Sequence, residues 1–323
     1  MGTDHASAVT YAVHGTLRDP AEWIGRVLES DAPYPVEAGR VADFCALVED
    51  PNPLYWDEAA ATARFGAPIA PPGTLMVWRI PPPWHPAGRP EHGFLYGMEI
   101  PLDADTAINV STDMWLEGPI FIGDRLRYRE EIVGLSDEKA TALGPGWFIT
   151  TDTTVTAAGR PVGRYRNVLL RYRRIDRSPA QPSLTASSTG SSPAGDLPEV
   201  LFPITASTCA LVPAGTRDGF PGHHDRDVAR AQGIADCYVN TMFFHGLIDR
   251  LALCWAGPDA AIVRRNLAMR QSAVVGDTLR VGGRVLRNAQ SGDLSDLAVF
   301  VVTTDGAPVA TSELTVNPKG WPS

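Results

Sequence analysis

The chain has 323 residues, 44% of them hydrophobic, with 37 acidic against 28 basic side chains and a formal net charge of −9. That length holds two domains of ordinary size, and the apolar fraction can build a sizeable core. The acidic balance argues against a general nucleic-acid surface, which needs clustered Lys and Arg, and no basic amphipathic membrane helix is present.

The N-terminus, MGTDHASAVTY, has neither a charged leader nor a long apolar run. No apolar segment reaches membrane-spanning length, so a cytoplasmic protein is expected. Cys45, Cys209, Cys237 and Cys254 are scattered without a CxxC pair, and three of them lie in apolar stretches. Buried thiols in a reducing compartment fit that pattern.

In chain order, PAEWIGRVLES reads as a short helix in the leader. AGRVADFCALV has apolar residues at helical spacing. DPNPLYWD reads as a turn, because Pro51 and Pro53 oppose helix while Asp50 and Asn52 suit turns and caps. DEAAATARFG is a short helix closed by Gly66, with Asp57 as its N-cap. TLMVWRI is apolar, and its length leaves helix or strand open. The proline-rich loop IPPPWHPAGRPEH is stiff and exposed, a rim or lid over a pocket being one use for it.

From Gly93 to about Arg174 the pattern changes to β-branched, alternating runs: INVSTDMWL, RLRYREEIVGL, GWFITTDTTVTAAG and YRNVLLRYRR. These read as long antiparallel strands, with Ala158-Gly159 as a hairpin turn. The arginine-rich run Arg164 to Arg177 reads as a strand with arginines on its wet face, the alternative being a docking surface for a phosphate-bearing ligand. Residues 179–195, PAQPSLTASSTGSSPAG, have a linker composition. They divide the chain into an N-terminal domain, 1–178, and a C-terminal domain, 196–323.

The second part begins with ITASTCALVPAGTR, read as an extended lead-in and a polar turn. DGFPGHHDRDVARAQGIADCYVNTMFFHG follows, with three of the seven histidines: His223, His224 and His245. Asp218 lies five residues before His223, and a carboxylate beside an imidazole suits acid/base chemistry. The same residues could make only a polar turn before a buried helix. LIDRLALCWAG is the strongest helix candidate of this half. Strands then resume in IVRRNLAMRQSAVV, DTLRVGGRVLR, SDLAVFVVTTDG and APVATSELTVNP.

The two parts repeat one plan. Asp50-x-Asn52-Pro53-x-Tyr55-x-Asp57 parallels Asp218-x-Phe220-Pro221-x-His223-x-Asp225, and Gly73 parallels Gly246 before an apolar run. Ile122-Gly123-Asp124 parallels Val275-Gly276-Asp277, and Gly159-Arg160-Pro161-Val162 parallels Gly306-Ala307-Pro308-Val309. Shared order with unequal loops marks a duplicated domain rather than a solenoid.

Over roughly residues 30 to 320 the chain resembles the MaoC-like enoyl-thioester hydratases and dehydratases in their double hot-dog form. Its N-terminal half resembles the FAS1-like dehydratase domain. The resemblance implies an α+β fold of two tandem hot-dog domains, each a curved antiparallel sheet wrapped around a central helix. The hydratase motif places the catalytic Asp on Asp218 and the catalytic His on His223, with His245-Gly246 before the central helix. Gly246 would offer its N–H to the thioester carbonyl, with His245, Phe220 and Asp225 completing the binding set. Asp225 also reads as a helix N-cap, and His245 as a packed residue at the helix start.

The first copy has Tyr55 where the histidine belongs, and tyrosine, with a pKa near 10, is a poor base at neutral pH. That half is expected to shape the substrate tunnel without catalysing. The second copy has Phe220 in place of the motif asparagine, which removes a hydrogen-bonding side chain. The reaction implied is hydration of a trans-2-enoyl thioester or its reverse, with no cofactor beyond the coenzyme A or acyl carrier protein of the substrate. A metal site from His223, His224, Asp225 and Asp227 is disfavoured because adjacent side chains diverge. The alternatives are a hot-dog thioesterase and an acyl-thioester binding subunit that needs a partner chain. A monomer of two domains, or a dimer of such chains, is expected.

Overall fold

The computed structural model describes residues 12–82, 84–86, 94–104, 106–174, 197–287 and 294–321. The linker 179–195 and Arg177 lie outside these, as does part of the proline-rich loop.

The first half contains β1 (Val27–Asp31), α1 (Ala38–Val48), α2 (Glu58–Phe65), β2 (Ile69–Ala70), β3 (Thr106–Leu116), β4 (Ile120–Phe121), β5 (Leu126–Leu135), β6 (Lys139–Thr141), β7 (Gly144–Ala157) and β8 (Arg160–Tyr172). The second contains β9 (Val200–Pro203), α3 (Ala206–Thr216), α4 (Arg226–Ala231), α5 (Thr241–Ala256), β10 (Ala261–Met269), β11 (Thr278–Arg287), β12 (Ser295–Thr303) and β13 (Pro308–Asn317).

The sheet order is β1-β5-β7-β8-β3-β10-β13-β12-β11-β9, with β6 paired to β7. Read from its two ends, this path names equivalent strands of the two halves in the same sequence, so the halves are related by a pseudo-two-fold axis between β3 and β10. The expectation of two curved sheets, each wrapped around its own central helix, is therefore corrected. β3 and β10 pair antiparallel, Trp115 opposite Arg264 and Ser111 opposite Ala268, and fuse both halves into one open 11-stranded sheet. The α+β class and the two sheet-and-helix units remain.

The central helices also differ. The second half has the 16-residue α5, while TLMVWRI forms only 3-10 turns at Pro72–Thr74 and Val77–Arg79. That segment is wedged between Pro71-Pro72 and Pro81-Pro82, and a residue before proline is pushed out of the helical region. Two more sequence expectations fail. PAEWIGRVLES is a 3-10 turn followed by edge strand β1, because Gly25 at φ 82° breaks the helix and the strand gains β5 as a partner. ITASTCALVPAGTR is the helix α3, closed at its start by a capping box between Thr205 and Thr208. α1, α2, the Pro53–Tyr55 turn, the long strands and the Ala158-Gly159 hairpin form as expected.

One buried cluster runs through both halves and includes Phe44, Trp78, Phe243, Phe244 and Leu267. α5 is its centre and packs on α1: a Cβ at Gly246 would lie 2.7 Å from Phe44 Cζ. α5 is also pinned to the junction. Arg265 on β10 stands opposite Met114 of β3 and bonds the Asp249 carboxylate of α5, with both side chains buried.

Arg164, Arg166, Arg171 and Arg173 of the arginine run are engaged within the fold. Arg166 pairs with Asp152, Arg173 with Asp103 and Glu138, and Arg164 stacks on Trp115 beside Glu117. Arg171 departs from the wet-face reading: it is buried and donates to the carbonyls of Met98 and Ile100. Cys45 and Cys209 are buried, Cys237 is half-buried and Cys254 is exposed, all as free thiols. Among the described residues, no helix is long and apolar enough to cross a membrane.

Removing one member of a buried ion pair strands the other charge, at a cost of about 3–5 kcal/mol. Asp249→Ala should therefore lower the free energy of unfolding by about that much in urea titration. An unchanged midpoint would show that the Arg265–Asp249 contact does not anchor α5 to the junction strands.

Candidate functional site

Three chain segments meet at Asp218. α3 ends at Thr216, and Arg217, at φ 58°, turns the chain so that Asp218 follows directly. Phe220 opens the 3-10 turn Pro221–His223, whose proline is preset for the first helical position. The third segment is the start of α5, capped by Asn240.

The His223 ring is buried while His224 is exposed. Phe220 and Tyr238 pack edge-on against the His223 ring, at centroid distances of 5.6 and 4.9 Å. Nδ1 of His223 lies 2.7 Å from the Tyr238 carbonyl oxygen, and Nε2 lies 3.2 Å from Oδ2 of Asp218. A carbonyl only accepts, so Nδ1 carries a proton. A bare Nε2 facing a bare carboxylate would be repulsive, so a second proton sits between Nε2 and Oδ2.

Asp218 is held from several sides. Phe220 N–H donates to Oδ1 at 3.3 Å, and Asn240 Nδ2 donates to Oδ2 at 3.1 Å. Burial opposes its ionisation. The charge and hydrogen bond of His223, with the bonds from Asn240 and Phe220, outweigh burial and hold the carboxyl below its usual range.

The other expected residues lie as follows. Phe220 contacts both members of the pair. Asp225 caps α4, accepting from the N–H groups of Asp227 and Val228, as its capping reading proposed. His245 is fully buried, its ring nitrogens have no hydrogen-bond partner, and burial pushes it well below the usual histidine range. Gly246 is corrected: α5 begins at Thr241, so Gly246 sits in the second turn, where its N–H faces the Met242 carbonyl within the helix. Its lack of a side chain serves the packing against Phe44.

The pairing of Gly73 with Gly246 is displaced by one helical turn. The true register follows from the strand contacts, Ile69 opposite Phe121 in one copy and Tyr238 opposite Val274 in the other. The central element then starts after Pro71 in the first copy and after Asn240 in the second. Thr216, Tyr238 and Asn240 escaped the sequence reading. The one available signal was an Asn directly before an apolar helical run, a cap signature.

In the first copy, Asn52 N–H donates to Oδ1 of Asp50 at 2.9 Å, and Tyr55 stands where His223 stands in the second. Burial, with the nearby Asp249 charge, pushes the Asp50 carboxyl up to about 6 despite that bond. Burial raises the Tyr55 phenol well above its usual range. Beside Tyr55 is an apolar pocket lined by residues of both halves, among them Phe65, Ile120, Leu253 and Trp321. Among the described residues, no three His, Cys, Asp or Glu side chains converge as metal ligands.

The N-terminal half is similar to a FAS1-like dehydratase region, and the chain shares its overall fold with solved double hot-dog proteins. Residues 22–164 match the family described as FAS1-like, dehydratase domain region. A probable enoyl-CoA hydratase alpha subunit of Thermomonospora curvata is 31% identical over 167 residues, 47% of this chain and 50% of that protein. The 3-oxo-4,17-pregnadiene-20-carboxyl-CoA hydratase beta subunit of Mycobacterium tuberculosis is 41% identical over 70 residues, 22% of this chain and 54% of that protein. The chain thus spans about half the length of these curated relatives. A solved MaoC-like dehydratase has a similar fold, with a TM-score of 0.71 at 18% identity over 93% of this chain and 99% of that one.

The raised Asp50 carboxyl has a stability signature. Folded, it holds its proton up to a pH of about 6; unfolded, it releases it near 3.8. Its contribution to stability therefore falls as pH rises from about 4 to 6, by about 3 kcal/mol in all. Asp50→Asn keeps the acceptor for Asn52 N–H and removes the titration. Its stability relative to wild type should rise across that window, measured by denaturant unfolding at several pH values; a constant difference would refute the assignment.

Proposed function

We propose that this protein adds water reversibly across the double bond of a trans-2-enoyl thioester, giving a 3-hydroxyacyl thioester, with His223 as base and Asp218 as its partner. The observation that carries the reading is the 3.2 Å approach of Nε2 to Oδ2, buried in the second copy beside the start of α5.

Hydration needs one group to take a proton from water and one to supply a proton to the α-carbon. The pair has two forms: imidazolium with carboxylate, favoured at rest by the partners of Asp218, and neutral imidazole with carboxylic acid. In the second form Nε2 accepts the proton of the attacking water as its oxygen bonds to the β-carbon. Asp218 releases its proton to the α-carbon. The imidazolium and carboxylate that remain are the resting form, so protons balance over the cycle. Tyr238 keeps the other ring proton on Nδ1 throughout.

Charge develops on the thioester oxygen during this addition. The first-turn N–H groups of α5, at Thr241 and Met242, have no carbonyl of the helix to bond and lie where the helix field favours negative charge. We assign them the carbonyl contact first expected of Gly246. Removing such a donor typically costs about 3 kcal/mol in the transition state.

The first half, 1–178, serves in this reading as a non-catalytic partner that shapes the acyl pocket, and 196–323 carries the chemistry. Coenzyme A or a carrier protein is part of the substrate. A second reading, an acyl-thioester binding subunit active beside another chain, is favoured by one observation: two curated relatives are named as subunits.

The test is a panel of trans-2-enoyl-CoA thioesters, including ring-bearing acyl groups, read by mass gain of one water. Wild type should turn over at least one, and His223→Ala and Asp218→Asn should each lose about 10²–10⁴-fold in kcat. Release of free thiol without water addition would favour a thioesterase. Binding without turnover by the isolated chain would favour the subunit reading.

A further inference from the structure

In the first copy the Asn52 side chain caps the Pro53 turn, accepting from Leu54 N–H at 3.0 Å, and only its backbone N–H reaches Asp50, whereas in the second copy a side-chain amide from another segment reaches Asp218. Asn240, buried at the N-cap of α5, uses all of its hydrogen-bonding groups nearby. Nδ2 donates to Asp218 Oδ2 at 3.1 Å and to Thr216 Oγ1 at 3.0 Å, and Oδ1 accepts from Phe243 N–H at 3.0 Å. Thr216 closes the network. Its hydroxyl donates to the Val212 carbonyl at 2.6 Å and accepts from Asp218 N–H at 3.2 Å. One amide thus joins the end of α3, the Asp218 loop and the start of α5.

The first copy supplies an internal control. At the structurally equivalent cap stands Pro71, which has no side-chain hydrogen bond, and Asp50 is favoured in its charged form by the Asn52 N–H at 2.9 Å and the Arg250 charge. There the carboxyl is pushed up to about 6, whereas Asp218, also buried, is held low. His223 accounts for part of the contrast, and Asn240 is the remaining side-chain donor. The titratable groups bearing on Asp218 are His223 and the Tyr238 phenol, the latter bonded to Gln232.

We propose that Asn240 is a positioning residue for the His223–Asp218 pair: its amide holds Oδ2 of Asp218 towards Nε2 and locks the pair to the N-terminus of α5. This deepens the hydratase reading and rests on it for activity. The geometric claim about the pair stands independently.

Two variants separate positioning from helix capping. Asn240→Asp keeps the capping oxygen but replaces the donor with a second carboxylate. Asn240→Ser keeps a capping hydroxyl that is too short to reach Asp218. On full-length protein with labelled histidine, the His223 titration is followed by NMR, and the pH profile of kcat is measured with a trans-2-enoyl-CoA that wild type hydrates. Asn240→Asp should raise the His223 midpoint by about one pH unit. Asn240→Ser should raise it by less. Both should lower kcat by about tenfold or more while KM changes little, as expected when a proton-transfer group is displaced. If Asn240→Asp does not fold, the serine variant carries the test. A His223 midpoint that stays in place in the folded variants, with activity falling only in step with thermal stability, overturns the proposal and leaves Asn240 a cap. A midpoint that moves in a protein that hydrates no enoyl thioester supports the positioning role and refutes the hydratase reading.

Discussion

The antiparallel pairing of β3 with β10 is the constraint on which the rest of the molecule depends. These strands hold equivalent places in the two halves, and each would be a sheet edge if its half stood alone. Unpaired edges expose a row of N–H and C=O groups. Here they satisfy one another, from Trp115 opposite Arg264 to Ser111 opposite Ala268. The outer ends of the path are left to the short strands β1 and β9. The junction also fixes what lies beneath it: Arg265, opposite Met114, reaches Asp249 and holds α5 against the seam.

α5 connects that seam to the candidate site. Its middle packs on α1 through the close approach of Gly246 and Phe44, while its capped end meets the Asp218 loop. A fused sheet therefore positions a helix, and the helix end positions a carboxylate and an imidazole. Binding constellations are held best on such rigid elements.

The duplicated plan places the same carboxylate in two environments. Asp50 and Asp218 are both buried, and desolvation raises the pKa of each. Asp218 has an imidazole and an amide to offset it. Asp50 has a backbone N–H, the Arg250 charge, a tyrosine whose phenol is itself raised by burial, and the nearby negative charge of Asp249. One backbone geometry thus supports opposite ionisation tendencies, and the partner side chains make the difference.

Much of this was legible in the chain itself. Helical spacing marked α1 and α2, alternation marked the long strands, and the repeated landmarks marked the duplication, because each of these signals is local. The spacing of Asp218 and His223 also predicted their meeting, since five residues of turn bring them to 3.2 Å. Elements whose stability comes from distant partners were not legible. Val27–Asp31 is a strand because β5 lies beside it, and ITASTCALVPAGTR is a helix because α1 covers it: a Cβ at Gly215 would lie 3.1 Å from Phe44 Cα. The single open sheet depended on an edge pairing between residues about 150 positions apart, which no local pattern encodes. The His245-Gly246 pair misled because its two letters match a motif whose structural place, the helix start, is occupied by Asn240 and Thr241. Sequence alone determined the α+β class, the duplication and the meeting of Asp218 with His223. Only the tertiary structure decided the joining of the halves, the start of α5 and the amide that holds Asp218, because each depends on contacts between segments that are remote or variably spaced along the chain.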